Sequence, residues 1–149
     1  MEGCIFCRIA KGEIPCAKIW EDEKHMAFLD MNPNVMGMTL VVPKQHFDSY
    51  TFDMPDKDHH NLIDSAKKTA KMLEKGLGVP RVAMVMEGMG VNHAHIKLYP
   101  LFILENKTRE PTHRLFFEAY EGYISTELGP QRSNAELSLI AQEIIKRNK

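Results

Sequence analysis

The segment "VNHAHIKLYP", residues 91–100, places His93, His95 and Lys97 at every second position, with Ala94, Ile96 and Leu98 between them. In an extended chain, alternate side chains share a face and lie roughly 6.5 to 7 Å apart. Two imidazoles and an ammonium would then stand in one row, a spacing at which neighbouring side chains can grip different atoms of one group, such as a phosphate. The same alternation also describes a strand whose polar side is merely solvated. A second pattern with chemical potential is Cys4 and Cys7, a Cys-x-x-Cys pair that suits either two thiolates on a metal or a redox couple. Cys16, the third cysteine, reads as a structural or incidental thiol.

These residues need elements to hold them. Lys18 to Trp20, Met26 to Leu29 and Thr39 to Val42 read as three short strands, separated by the charged turn at Glu21 to Lys24 and by Asn32-Pro33-Asn34. From about Pro55 to Lys75, Leu62, Ile63, Ala66, Ala70, Leu73 and Leu77 recur at helical spacing, with Gly76 and Gly78 expected to stop the helix. Arg81 to Met86 and His93 to Tyr99 predict a hairpin around the turn "EGMGVN". Ser133 and Glu136 fit a capping box ahead of Leu137, Ile140, Ala141, Ile144 and Ile145. The expected fold is a single α+β domain over residues 1–149, an antiparallel sheet of about five strands with its helices over one face. Residues 105–132 give little to read, although "FEAYEGYISTELGP" suggests a segment near the substrate side.

Composition narrows the function. A formal net charge of -1, with both signs mixed along the chain, offers no basic surface for nucleic acid. No apolar run nears the roughly 20 residues of a membrane span, and the first residues lack a signal peptide's pattern, so a soluble cytoplasmic protein is expected. His25, His59, His60 and His113 have no evident partner and are assigned to the surface.

"HAHIKLYP" resembles the signature of the histidine triad family, His-x-His-x-His followed by apolar residues. "CIFCRIAKGEIPCAKIWEDE" is similar to the N-terminal segment of its bacterial members, and "AFLDMNPNVMGMTLVVPKQHF" to the strand, turn and strand before their helix. The resemblance implies a HIT-like fold that binds a purine nucleotide or dinucleotide, commonly as a homodimer. It makes His95 the nucleophile on an α-phosphorus, His93 the residue whose backbone carbonyl orients it, and Lys97 the phosphate contact. Asp30 would bind the ribose hydroxyls, with a turn-starting residue as the lesser alternative, and Ile19, Phe28 or Leu29 would supply the base pocket. Gly88, Gly90 and Asn92 would belong to the loop against the phosphate. Similar bacterial members complete a structural zinc site with a histidine after "VVPK" and the first triad histidine, giving Cys4, Cys7, His46 and His93 here.

The pattern departs at three positions. Lys97 stands where the third histidine belongs, Met38 where many members have histidine, and Gly90 where serine is frequent. The resemblance therefore implies a nucleotidyl hydrolase or transferase, with a catalytically weak nucleotide sensor or adaptor as the alternative and a purely structural domain as the third.

Overall fold

The computed structural model describes residues 3–102 and 131–148. Its elements in chain order are α1 (Ile5–Ala10), β1 (Lys18–Glu21), β2 (His25–Leu29), β3 (Thr39–Pro43), a 3₁₀ turn (Thr51–Asp53), α2 (Asp56–Leu77), β4 (Arg81–Val85), β5 (Ile96–Leu101) and α3 (Asn134–Lys146). The strands form one antiparallel sheet in the order β1-β2-β3-β5-β4. Connection through α2 carries the chain from central β3 to the edge, and the β4–β5 hairpin then returns β5 beside β3, pairing Leu40 with Lys97 and Val85 with Lys97.

The expected five-stranded α+β fold is present, with one correction. Helices cover both faces of the sheet. On one face, Leu62, Ala66 and Leu73 of α2 and Leu137, Ala141 and Ile144 of α3 pack on Ala27, Leu29, Val41, Ile96 and Leu98. On the other, Phe6 and Ile9 of α1 pack on Met26, Phe28, Leu40 and Val42. This double cover explains why every residue of β2 and β3 is buried, where one-sided cover would leave every second residue wet.

The buried stripe of α2 includes Ser65, Thr69 and Gly76 besides the leucines. Thr69 serves two purposes there: its hydroxyl accepts the Trp20 indole N–H at 2.6 Å and donates to the Ser65 carbonyl at 2.8 Å. The Lys68 ammonium lies 4.1 Å from the centre of the same indole ring. Gly76 does not stop the helix, which runs to Leu77 and is capped by Gly78 in the left-handed region at φ 67°. Its role is steric instead, because a Cβ at position 76 would lie 2.6 Å from the Ile144 Cα of α3. Gly76→Ala is therefore expected to push the two helices apart and cost about 2 kcal/mol in urea unfolding, overriding the gain of up to about 1 kcal/mol in helix propensity. An unchanged or higher midpoint would refute the close approach.

At α3 the Ser133–Glu136 capping box is formed in both directions. His25 departs from its expected surface position: it is 6% exposed, 3.6 Å from Asp22, and burial pulls its pKa down. His59 is half-buried, His60 is exposed, and His113 lies outside the described residues. The segment "FEAYEGYISTELGP" lies outside them as well.

Candidate functional site

His93 and His95 precede β5, which begins at Ile96, in a connecting stretch whose Ala94 N–H donates to the Phe47 carbonyl at 2.9 Å. The alternation persists: Ala94, Ile96 and Leu98 enter the core beneath α2 and α3, while His95 and Lys97 turn to the α1 face. That face is not a solvated one. His93 is 0%, His95 3% and Lys97 9% exposed, so each polar head needs a partner.

The partners fix both imidazoles. His93 Nε2 lies 2.8 Å from the Pro43 carbonyl, which can only accept, so Nε2 carries the proton and Nδ1 keeps its lone pair. That Nδ1 faces Cys4 Sγ at 3.3 Å and Cys7 Sγ at 3.5 Å, while His46 Nδ1 lies 3.4 Å from Cys7 Sγ. In the same way, His95 Nδ1 must donate to the His93 carbonyl at 2.7 Å, which leaves the Nε2 lone pair uncommitted. Burial holds the His93 pKa down at about 4 and lowers that of His95, so both rings are neutral near pH 7.

Ligand atoms of Cys4, Cys7, His46 and His93 all fall within 4.8 Å of one another. Tetrahedral zinc with bonds of about 2.3 Å to sulfur and about 2.0 Å to nitrogen sets sulfur–nitrogen edges of roughly 3.5 Å, close to the three sulfur–nitrogen distances above. The donor set therefore fits a zinc ion, and the His93 tautomer is the one a ligand requires, with its far N–H held by a carbonyl. Without metal, burial pushes the Cys7 thiol up; a bound dication reverses that balance by taking the thiolate. Cys16 lies outside this cluster, partly buried against the α1-side core.

Beside the cluster, His95 and Lys97 line a cavity of about 350 Å³. Its apolar walls come from Ile5, Phe6 and Ile9 of α1 and from Phe28 and Leu40 of the sheet. The Phe6 ring stands edge-on to both imidazoles, its centre 5.7 Å from that of His93 and 5.5 Å from that of His95. Of the residues expected to form the base pocket, Phe28 lines the cavity, whereas Ile19 and Leu29 lie in the core on the opposite face. Asp30 is 7% exposed at the rim; one carboxylate oxygen accepts the Asn32 N–H at 2.8 Å, so the residue both builds a turn and lines the cavity.

Gly90, at φ 90°, lines the cavity too. Gly88 and Asn92 are used elsewhere. A Cβ on Gly88 would meet the Ser49 carbonyl oxygen at 2.6 Å, and the Asn92 side chain accepts the Ser49 N–H at 2.9 Å while donating to Asp48 at 3.0 Å. These two residues tie the glycine loop to the segment after β3. Met38 is buried, 1% exposed.

Three features were not anticipated from the sequence: the Pro43 carbonyl, the Phe6 ring and Glu87. The carboxylate of Glu87 forms an ion pair with the Lys97 ammonium inside the cavity wall. Only the hairpin register, which sets Val85 opposite Lys97, brings Glu87 into reach.

Residues 11–102 match the HIT domain family. An uncharacterized HIT-like protein of Methanocaldococcus jannaschii is 43% identical over 104 residues, 66% of this chain and 79% of that protein. An adenosine 5'-monophosphoramidase of Schizosaccharomyces pombe is 33% identical over 103 residues, 65% of this chain and 73% of that one. Among solved structures, a zinc-bound histidine triad family protein of Mycobacterium smegmatis shares the fold with a TM-score of 0.68 at 22% identity, over 98% of this chain and 93% of that one.

Proposed function

The chain belongs to the HIT domain family, and from that premise we propose that it binds a purine nucleotide and acts on its α-phosphorus through His95, as a nucleotidyl hydrolase or transferase. The observation that carries this reading is the His95 ring: neutral, oriented by the His93 carbonyl, with its Nε2 lone pair free in a walled cavity beside an ammonium group. A phosphoramidase relative supports the substrate class.

In the proposed reaction, His95 Nε2 forms a bond to phosphorus while the bond from phosphorus to the leaving group breaks, the electron pair departing with that group, which takes up a proton from solvent. Lys97 offers its charge to a non-bridging oxygen, and as an ammonium it donates a proton less readily than imidazolium. Water, or another acceptor, then attacks phosphorus from the opposite side, its proton passes to solvent, and Nε2 regains its lone pair. Asp30 at the rim would accept from the ribose hydroxyls, and Phe28, Leu40 and α1 would enclose the base. Gly90 and Lys97 together would face the phosphate. Zinc held by Cys4, Cys7, His46 and His93 would supply a structural clip joining α1 to the sheet. A homodimer and a cytoplasmic location belong to the same reading, and no described helix is long and apolar enough to cross a membrane.

Incubation with a fluorogenic adenosine phosphoramidate and with diadenosine polyphosphates tests this directly. Release of nucleotide, with an adenylylated His95 trapped by acid-free quenching and mass spectrometry, is the expected result. Turnover of neither substrate would end the enzymatic reading. The Lys97–Glu87 pair favours a second one, a nucleotide sensor or adaptor, which calorimetric binding of AMP or GMP without turnover would support.

A further inference from the structure

Glu87 stands two residues beyond β4 and has no part in the proposed reaction, yet it lines the same cavity as His95 and Lys97. Its Oε1 holds the Lys97 ammonium, and the two side chains are 15% and 11% exposed. Its Oε2 is buried without a hydrogen-bond partner among the described residues. As a stabilising device such a pair is poor, because desolvating two charges offsets most of their attraction, and an orphan carboxylate oxygen adds to the cost. Its position points to the ligand instead.

The charges around the cavity give the direction. Among the described residues lining it, Asp30 and Glu87 are acidic and Lys97 is the one lysine or arginine, so carboxylates outnumber ammonium groups. Sites that hold polyphosphates work the other way, with an excess of cations or a dication against the tail. Here every negative charge added to the ligand must share one ammonium with Glu87 and face Asp30 across a partly desolvated wall, where like charges repel more strongly than in water.

We infer that Glu87 is a specificity-determining charge filter, making the cavity take nucleotide esters or amidates with a single negative charge at the α-phosphorus and turn away free phosphates and polyphosphate tails. This rests on the nucleotide reading of the site. An ammonium carries three hydrogens, so one can stay on Glu87 Oε1 while another reaches a non-bridging oxygen of a singly charged phosphorus group. The free Oε2 is then an acceptor for an N–H or O–H on an uncharged leaving group. An anionic leaving group brings no such hydrogen and meets a carboxylate.

The test is a charge ladder at fixed ionic strength: calorimetric affinities of adenosine, the methyl ester of AMP, AMP and ADP for the full chain and for Glu87→Gln. The methyl ester is expected to bind the unmodified protein tightest, with ADP at least about tenfold weaker, a difference of about 1.4 kcal/mol. In Glu87→Gln the freed ammonium is expected to reverse the order, with ADP above the ester. ADP binding to the unmodified protein as tightly as the ester overturns the filter without recourse to any variant, so a Glu87→Gln chain that fails to fold leaves the question decidable. If Glu87→Gln shifts all four ligands by one common factor, the residue only props the wall and the filter is likewise overturned. Absence of binding by all four to the unmodified protein removes the nucleotide reading and the filter together, whereas binding in the wrong order removes the filter alone.

Discussion

Replacing His95 with asparagine is expected to lower kcat/KM for an adenosine phosphoramidate by at least about a thousandfold, while nucleotide affinity changes only a few-fold. The two ring nitrogens have separate tasks. Nδ1–H is spent on the His93 carbonyl, a bond that the asparagine amide can reproduce, so the backbone around position 93 and the candidate metal-ligating ring there should keep their places. Nε2 is the atom lost, and with it the electron pair that would bond phosphorus. In the proposed reading the ribose, base and phosphate contacts would come from other residues lining the cavity, which is why binding should survive. Single-turnover kinetics beside calorimetry would separate the two quantities. A variant retaining a tenth of the activity would show that water attacks phosphorus directly and that His95 is not the nucleophile.

Stripping the metal is expected to lower the thermal midpoint by about 12 °C. A ligand at a thousand times its dissociation constant adds about 4 kcal/mol to the folded state, and a chain of this size loses roughly 3 °C per kcal/mol. The four candidate ligands come from α1 and its N-cap residue Cys4, from the loop after β3 and from the segment before β5, and the six residues of α1 are too short to hold a helix unaided. Loss of the ion should therefore act first on α1, speeding tryptic cleavage at exposed Arg8 and Lys11 before the sheet melts. Cys7→Ser should reproduce both effects. Scanning calorimetry with and without a chelator, alongside elemental analysis for one zinc per chain, checks the prediction. A chain that releases one equivalent of zinc with its midpoint unmoved would assign the thiols a different task.

What could be read from the sequence divides along physical lines. Strands β1 to β5 and helix α2 were visible because short apolar runs between turn residues, the alternation into β5 and three-to-four spacing are local signals, and the α3 cap was visible because Ser133 and Glu136 satisfy each other within one turn. Helix α1 was not, since six residues carry too little periodicity and two cysteines mask it. Missing α1 made the His95 and Lys97 face look open to water when it is roofed by Phe6. Gly76 misled for a related reason: glycine ordinarily ends helices, and only the distance to Ile144 shows that it is there to let α3 approach. His25 was assigned to the surface because its partner Asp22 sits across a turn whose geometry no spacing rule supplies. The zinc-fitting cluster was expected through resemblance, whereas the thiol–imidazole distances supply the geometric reason. Glu87 required the register of a hairpin, a non-local fact.

Trp20 is the sole tryptophan of the chain, and its indole is clasped between Thr69 and Lys68 of α2 on the side of the sheet away from the cavity. The molecule thus carries an intrinsic fluorophore whose emission reports the seating of the long helix and is blind to what occupies the opposite side. Global melting and ligand occupancy can be followed in one cuvette without a label, the first in the colour of that single indole and the second in the absorbance of released product.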